Sequence, residues 1–197
     1  LPQNNVWRST DNGATWTQMT ASAGWSGRRS HTSVAMPDGS IVLMGGDGGG
    51  TLMNDTWRST DNGVTWTLVN AHSGWTGREY HRSVTMPDGS IVLMGGWSGQ
   101  DVVYKAMNDT WRSTDKGTTW TLMNAGSGWS ARYGHSSVVM PDGSIVLIGG
   151  DDGGASNDVW RFQPAGSSEQ NPVHTYTTWG IFDVTLEVQN ADGYHST

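Results

Sequence analysis

The sequence has 197 residues, with 11 basic and 18 acidic side chains, a net charge of −7, and 12 Trp and 28 Gly against 2 Phe. The negative charge argues against nucleic acid or an anionic membrane as the main partner. The absence of Cys excludes disulfides and thiol catalysis. The length suits one domain with an appendage. The chain opens without a basic-then-apolar leader, so any signal peptide is expected to be removed or outside this sequence, and no apolar run is as long as a membrane span.

From residue 4 onward the sequence repeats itself. Asp11, Asp61 and Asp115 each begin an Asp-x-Gly-x-Thr-Trp segment, at separations of 50 and 54 residues. Three histidines and three Met-Pro-Asp-Gly-Ser turns follow the same spacing. A period of this length is typical of propellers and helical arrays.

Each full repeat is predicted to hold four short antiparallel strands. The runs at 40–46, 90–96 and 144–150 are apolar and β-branched, and each lies between a Pro-Asp-Gly turn and a glycine pair. The Pro-Asp-Gly turn joins each run to the strand before it, and Asp-Asn-Gly or Asp-Lys-Gly turns form a second hairpin. No stretch has the spacing of a long amphipathic helix. The predicted fold is all-β, a propeller-type array of four-stranded antiparallel blades.

The repeated residues resemble two known motifs. One motif resembles the kelch repeat: it consists of Arg-x-x-His, an apolar strand, Gly-Gly, a variable loop, Asn-Asp-x-Trp and a further Trp. In the central copy the matching residues are Arg78, His81, Gly95, Gly96, Asn108, Asp109, Trp111 and Trp120. Residues 59–66 resemble the Asp-box hairpin of sialidases and other propellers. The resemblances cover residues 4–163 and imply a β-propeller without implying one function, because such propellers have many unrelated roles. We therefore predict repeats over 1–165 and a separate tail over 166–197.

The repeated polar residues are interpreted as structural. In each Asp box the aspartate carboxylate can accept amide hydrogen bonds within its own turn, while the glycine takes the left-handed conformation. The residues of these structural turns are Asp11, Gly13, Asp61, Gly63, Asp115 and Gly117. In sialidases the similar boxes are distant from catalysis. The turns also resemble part of a calcium loop but lack its later acidic ligands, so neither a metal nor a cofactor is predicted. The repeated Arg and His are expected to tie blades together, since a catalytic group is needed only once.

The loops after the double glycine differ between repeats and provide the predicted binding face. They cover 47–53, 97–107 and 151–156, and the second is longer by four residues. Insertions of this kind gather on one face of a repeat array, often the binding face. The predicted ligand-binding residues are Trp97, Asp101, Tyr104, Lys105, Asp47, Asp151 and Asp152, and the alternative is a plain exposed loop. The connector tryptophans Trp25, Trp75 and Trp129 could be structural wedges or ligand platforms.

The repeat pattern stops after residue 160, and no Asp box follows. The tail resembles the later part of a PKD repeat, an immunoglobulin-like sandwich of cell-surface proteins, through Asn171, Pro172, His174, Thr175, Tyr176, Thr177, Gly180, Phe182, Val184, Leu186, Val188 and Asn190. Trp179 stands where proline is usual, and the early segment and the final strand of such a repeat are missing. Alternation predicts one strand over 181–189, with an apolar face that we interpret as an assembly strand, formed by Phe182, Val184, Leu186 and Val188.

The incomplete strand count suggests assembly. Thirteen strands are predicted in the repeats, whereas known propellers use at least about four blades of four strands. Because open edges invite strand addition, we expect a homo-oligomer or polymer through sheet edges, with a glycan or a surface protein as a further partner, and neither nucleic acid binding nor membrane insertion.

Kelch-like blades joined to PKD-like sequence resemble archaeal and bacterial envelope proteins. The predicted function is a non-enzymatic extracellular or cell-surface module for adhesion or for self-assembly into a surface layer or fibre. The alternatives are a carbohydrate-binding, lectin-like propeller and a fragment of a sialidase-like enzyme. Sialidases resemble six-bladed propellers with an arginine triad, whereas the arginines in this sequence fall in repeat positions.

Overall fold

The computed structural model describes residues 2–100, 103–162, 187–190 and 193–196. Within these ranges the regular structure is all strand, and no helix is long and apolar enough to cross a membrane. The all-β prediction is confirmed. Contacts divide the chain into two units, Leu1–Pro164 and Ala165–Thr197.

The described part of the first unit contains fourteen strands in four antiparallel sheets. Sheet 1 contains β1 (Val6–Arg8) and β2 (Thr17–Thr20), and blade 2 contains β3 (Thr32–Ala35), β4 (Ile41–Asp47), β5 (Leu52–Ser59) and β6 (Thr67–Asn70). Blade 3 contains β7 (Arg78–Glu79), β8 (Arg82–Thr85), β9 (Ile91–Gln100), β10 (Val103–Ser113) and β11 (Thr121–Asn124). Blade 4 contains β12 (Ser136–Val139), β13 (Ile145–Asp151) and β14 (Ala155–Phe162). Thirteen of these strands match the predicted ones, and β7 is additional.

The loop predicted at 97–107 is wrong in part, because β9 and β10 continue through most of it as a hairpin. Trp97 is opposite Ala106, Ser98 is opposite Lys105, and Gln100 is opposite Val103. Only residues 101–102 fall outside the described strands. Among the described residues, the insertion therefore lengthens two paired strands, and Trp97 and Lys105 lie on their regular backbone.

Pro-Asp-Gly turns fix the register of the hairpins inside the blades. The amide of Met36 donates to the carbonyl of Ser40 over 2.8 Å, and the Asp38 carboxylate accepts from the amide of Ser40 over 3.0 Å. Gly39 has a φ of 81°, a conformation that favours glycine. The other two turns of this sequence contain the same backbone hydrogen bonds.

Adjacent blades pack face to face around the connector tryptophans. Trp75 lies in a buried cluster with Val42 and Met44 of blade 2 and with Ile91 and Leu93 of blade 3. Trp25 and Trp129 are buried in the same way in two further clusters. Of the two roles that the sequence left open for these residues, the structural wedge is the one observed.

Backbone hydrogen bonds join blades 2, 3 and 4 near their innermost strands. The amide of Tyr80 donates to the carbonyl of Ser30 over 3.0 Å, and the amide of Gly134 donates to the carbonyl of Tyr80 over 2.9 Å. Tyr80 and Ser30 both have a positive φ, at 54°. These three residues lie just before β3, β8 and β12, so the bonds bring the beginnings of these strands close together.

In the second unit the structure describes one hairpin. Strand β15 (Glu187–Asn190) pairs with β16 (Gly193–Ser196), so that Val188 is opposite His195. Strand β16 was not predicted, although Asp192-Gly193 is a turn-forming pair. Of the predicted assembly strand, Val188 lies in β15, whereas Phe182, Val184 and Leu186 lie outside the described residues.

Candidate functional site

Each repeated arginine forms its ion pair within one blade, so the prediction that these arginines tie one blade to the next is wrong. Arg78 is buried, and its guanidinium donates to the carbonyl of Gly95 over 2.9 Å and to both carboxylate oxygens of Asp109 over 2.6 and 2.8 Å. Trp111 donates its indole N–H to the same carboxylate over 2.7 Å. Arg28 pairs with Asp55, and Arg132 pairs with Asp158, in the same arrangement. These side chains are therefore not free to bind a substrate.

His81 and His135 are buried against the preceding blade, and burial keeps both rings neutral. His81 Nε2 is 3.2 Å from Thr32 Oγ1 of the preceding blade. Burial, followed by the charge of Arg78, holds the pKa of His81 well below its usual value. Burial also lowers the pKa of His135 to about 4. A buried histidine with a neutral ring suits a structural contact between blades better than proton transfer.

The Asp-box carboxylates are occupied by their own turns. Asp61 accepts hydrogen bonds from the Thr65 hydroxyl over 2.6 Å, the Thr65 amide over 2.9 Å and the Ser59 hydroxyl over 2.8 Å. The hydroxyl and then the amide of Thr65 lower the pKa of Asp61 to about 2. Asp11 and Asp115 accept the equivalent bonds. The φ angles of Gly13, Gly63 and Gly117 are 88°, 88° and 89°.

An open depression of about 490 Å³ lies where the variable segments of blades 3 and 4 meet. Its lining residues are Trp97, Lys105, Ala106, Tyr133, Asp151, Asp152, Gly153 and Gly154. Four of the seven predicted ligand-binding residues, Trp97, Lys105, Asp151 and Asp152, are therefore found around one concave surface.

Aromatic rings form one side of this depression. The rings of Trp97 and Tyr133 meet edge to face, with centroids 4.8 Å apart and planes at 67°. The ring of Tyr80 is 6.1 Å from that of Tyr133. Tyr133 is paired across the strands with Asp151, whose carboxylate raises the pKa of the Tyr133 hydroxyl. A hydrogen bond between the Tyr133 hydroxyl and this carboxylate is the main cause of the shift, so the two side chains hold each other in place at the edge of the depression.

Charged groups surround the aromatic rings. Lys105 is exposed on β10. Asp152 is exposed and accepts a hydrogen bond from the Ser130 hydroxyl over 2.6 Å. The surface thus offers aromatic rings for stacking, one exposed cation and two carboxylates, and this combination suits the binding of a partner molecule. Among the described residues, no group of His, Asp and Glu could hold a metal ion.

The other three predicted residues do not contribute a described side chain to the depression. Asp47 is buried in blade 2, where it pairs with Arg29 and accepts the amides of Gly49 and Gly50 over 2.9 and 2.6 Å. Its own loop therefore turns back onto it, and the prediction that Asp47 belongs to a common site does not match this arrangement. Asp101 is outside the described residues, and for Tyr104 only the backbone, opposite Gly99, is described.

Sequence reasoning missed the two tyrosines, although the sequence contains a signal for them. The two residues inside Arg-x-x-His differ from repeat to repeat: they are Arg-Ser, then Glu-Tyr, then Tyr-Gly. The first of them is paired with the residue after the double glycine, as Arg29 with Asp47, Glu79 with Trp97 and Tyr133 with Asp151. The variable positions of both segments therefore lie side by side on one face.

Comparison with known families identifies the repeats. The model of the KLHDC2/KLHL20/DRC7 Kelch-repeats domain matches residues 2–178. The chain belongs to this kelch-repeat family. The kelch resemblance and the propeller-type fold are thereby confirmed, and a kelch-repeat domain indicates a protein-interaction module. A search of curated proteins finds no match for the kelch chain.

Proposed function

We propose that this kelch domain is a non-enzymatic, extracellular or cell-surface module for adhesion or self-assembly, and that it binds its partner at the depression between blades 3 and 4. The supporting observation is that repeated residues and variable residues have different contacts. Those that repeat are bonded within and between the blades, whereas Trp97, Tyr133 and Asp152, which differ between repeats, surround the depression. Specificity in a repeat protein is expected to lie in such variable positions.

The charges of the depression favour a partner segment that carries both apolar and basic groups. Asp151 and Asp152 place two carboxylates at the depression beside the exposed cation of Lys105. Asp152 also lies 3.8 Å from the buried guanidinium of Arg132, and the whole chain has a net charge of −7. An Arg or Lys side chain could stack on the aromatic edge and pair with a carboxylate at the same time. A basic, aromatic-containing peptide surface is therefore the partner that fits best.

A library of displayed random peptides, selected against the whole chain, tests this proposal. The selected peptides should be enriched in Arg, Lys and aromatic residues, and Trp97→Ala should weaken their binding at least tenfold, since a central aromatic anchor is worth about 2 kcal/mol or more. Leu122→Ala is the matched control, because Leu122 is an exposed apolar residue on the outer strand of the same blade. Equal binding by the Trp97→Ala variant would contradict the proposal.

Carbohydrate binding is the second candidate and has one observation in its favour. Half-buried Trp97 lies beside two carboxylates, and a sugar ring requires an apolar ring face with polar groups nearby. A glycan array probed with the whole chain separates the two candidates. Glycan binding that Trp97→Ala abolishes, in a chain that selects no peptides, would favour the lectin-like function.

The sialidase-like alternative has less support. It requires a cluster of arginines open to a carboxylated sugar, whereas Arg28, Arg78 and Arg132 are each buried against an aspartate of one blade. The pairing supports the non-enzymatic proposal.

The surface location is supported by the resemblance of the tail to a PKD repeat. Antibodies raised against residues 1–165 should label intact cells that produce the protein. Labelling that requires permeabilisation of the cells would contradict this location.

A further inference from the structure

Each blade has two different faces, and the contact between blades 2 and 3 shows how they fit. We call the side of a blade that meets the next blade its forward face; in blade 2 it consists of Val34, Met36, Val42, Met44 and Thr56. The side that meets the preceding blade is the backward face; in blade 3 it consists of Ile91, Leu93, Trp111, Trp120 and the Asp-box glycine Gly117. These apolar residues pack into one cluster, with Trp75 between them.

The Asp-box glycine brings the two faces into close contact. A Cβ atom at Gly117 would lie 2.4 Å from Thr56 Cγ2, so no side chain fits between this turn and the forward face of blade 2. One repeat earlier, a Cβ atom at Gly63 would lie 2.8 Å from Cγ1 of Val6, which holds the position equivalent to Thr56. The same contact thus occurs twice within one chain.

The forward face of blade 4 is exposed. Val138 and Ile148 are 45% and 43% exposed, whereas the equivalent Val34 and Met44 of blade 2 are 9% and 0% exposed. Val159, at the position of Thr56, is 64% exposed. Blade 4 therefore has an uncovered apolar surface at the same positions that blade 2 uses to contact blade 3.

The backward face of sheet 1 is exposed as well. Trp7 and Trp16, the equivalents of Trp111 and Trp120, are 49% and 60% exposed. The Asp-box glycine Gly13 has no atom within 4 Å of the place where a Cβ would be. The described residues therefore leave one forward face and one backward face open, at opposite ends of the repeat array.

We propose that these two faces bind each other between copies of this chain, with the forward face of blade 4 of one copy packed on the backward face of sheet 1 of another. Gly13 of one copy would meet Val159 of the other, as Gly63 meets Val6 within the chain. The partner is a second copy because both halves of the contact are on one chain and neither covers the other there. The proposal rests on the register of the repeats and is independent of the depression on blades 3 and 4.

The contact is heterologous, because two different surfaces meet, so it can close into a ring or extend. The described part of the first unit contributes four sheets per copy, one of them the two-stranded sheet 1, so two copies would bring eight sheets together, and propellers have four to eight blades. A closed pair with two identical contacts is therefore the expected assembly.

Two variants, each with one face blocked, test the proposal. Val138→Lys carries a charge on the forward face, and Trp16→Lys carries one on the backward face; both sites are exposed in the single chain, so the blades should still fold. Sedimentation velocity should be measured at about 1–100 µM, a range that covers the dissociation constants of interfaces of modest strength. It should show paired or larger assemblies for the unaltered chain and single chains for each variant. An equimolar mixture of the two variants should form a pair again, because one unaltered face of each kind remains.

Leu68→Lys is the control, since Leu68 is an equally exposed apolar residue on the outer strand of blade 2. This variant should associate as the unaltered chain does, and circular dichroism should show strand structure in all three variants. A single-chain mass for the unaltered protein at the highest concentration would overturn the proposal, as would a failure of the mixture to pair. Loss of peptide or glycan binding in Trp97→Ala with association unchanged would separate this interface from the loop-face site.

Discussion

Among single residues, the three repeated histidines are expected to set the pH dependence of stability near neutral pH. The pKa values of His31, His81 and His135 are lowered in the folded chain, mainly by burial, so protonation favours the unfolded chain. The contribution of each is complete above the ordinary pKa of about 6.5 and declines as the pH falls toward the folded value, which is about 4 for His135. The free energy of unfolding should therefore fall by about 1.4 kcal/mol per pH unit for each histidine that stays neutral.

Urea unfolding at several pH values between about 7 and 5 measures this slope. His135→Gln should give a shallower slope than the unaltered chain, whatever its stability at neutral pH. His72→Gln, at an exposed position, is the matched control for the loss of a histidine. A free energy of unfolding that is constant across this range would contradict the prediction.

At the scale of the strands and hairpins, the Arg–Asp pair is the feature on which each blade depends. Arg78→Leu would leave Asp109, which is 7% exposed, without its cation and would also free the carbonyl of Gly95. Removing one member of a buried ion pair costs about 3–5 kcal/mol. Urea unfolding should show this loss, whereas Arg58→Leu, which removes a partly exposed pair with Asp38, should change stability little. Similar effects of the two substitutions would contradict this account.

The strands could be predicted from the sequence because local signals and tertiary packing agree. Pro-Asp-Gly turns, Asp boxes and β-branched runs each specify hairpins within a few residues, and three copies in register remove most ambiguity. The hairpin extension at 97–107 could not be predicted in this way. Whether an insertion loops out or lengthens two strands depends on the pairing of Trp97 with Ala106 across the turn, which no local signal specifies.

The candidate site was only partly predictable for a related reason. The sequence could indicate that variable segments share a face, but the neighbours of each side chain depend on the contact between blades. Tyr133 comes from a connector, and it reaches Trp97 only because blades 3 and 4 are packed together. Asp47 occupies the place equivalent to Trp97, yet its glycine-rich loop and Arg29 enclose it.

For the whole molecule, the division into two units predicts that the repeats fold without the tail. Deletion of residues 166–197 should leave the strand signal in circular dichroism and the Tm unchanged, because the contacts described above lie within Leu1–Pro164. Layers or fibres that depend on the tail strand should be lost, while pairing through the end faces should persist. Unfolding of the truncated chain would contradict the division into two units.

We propose that repeated residues build the blades and that variable residues bind the partner. Asp61→Ala removes a carboxylate that accepts three hydrogen bonds inside its turn, so the Tm should fall by about 2–4 °C for a domain of this size. Thr60→Ala, at an exposed neighbouring position, is the control for this change.

The most direct test is the dissociation constant of a selected peptide or glycan, measured by isothermal titration for the unaltered chain, Asp61→Ala and Trp97→Ala. We expect an unchanged dissociation constant for Asp61→Ala, despite its lower Tm, and at least a tenfold increase for Trp97→Ala. The opposite pattern, with binding lost in a stable Asp61→Ala chain and kept in Trp97→Ala, would contradict this proposal.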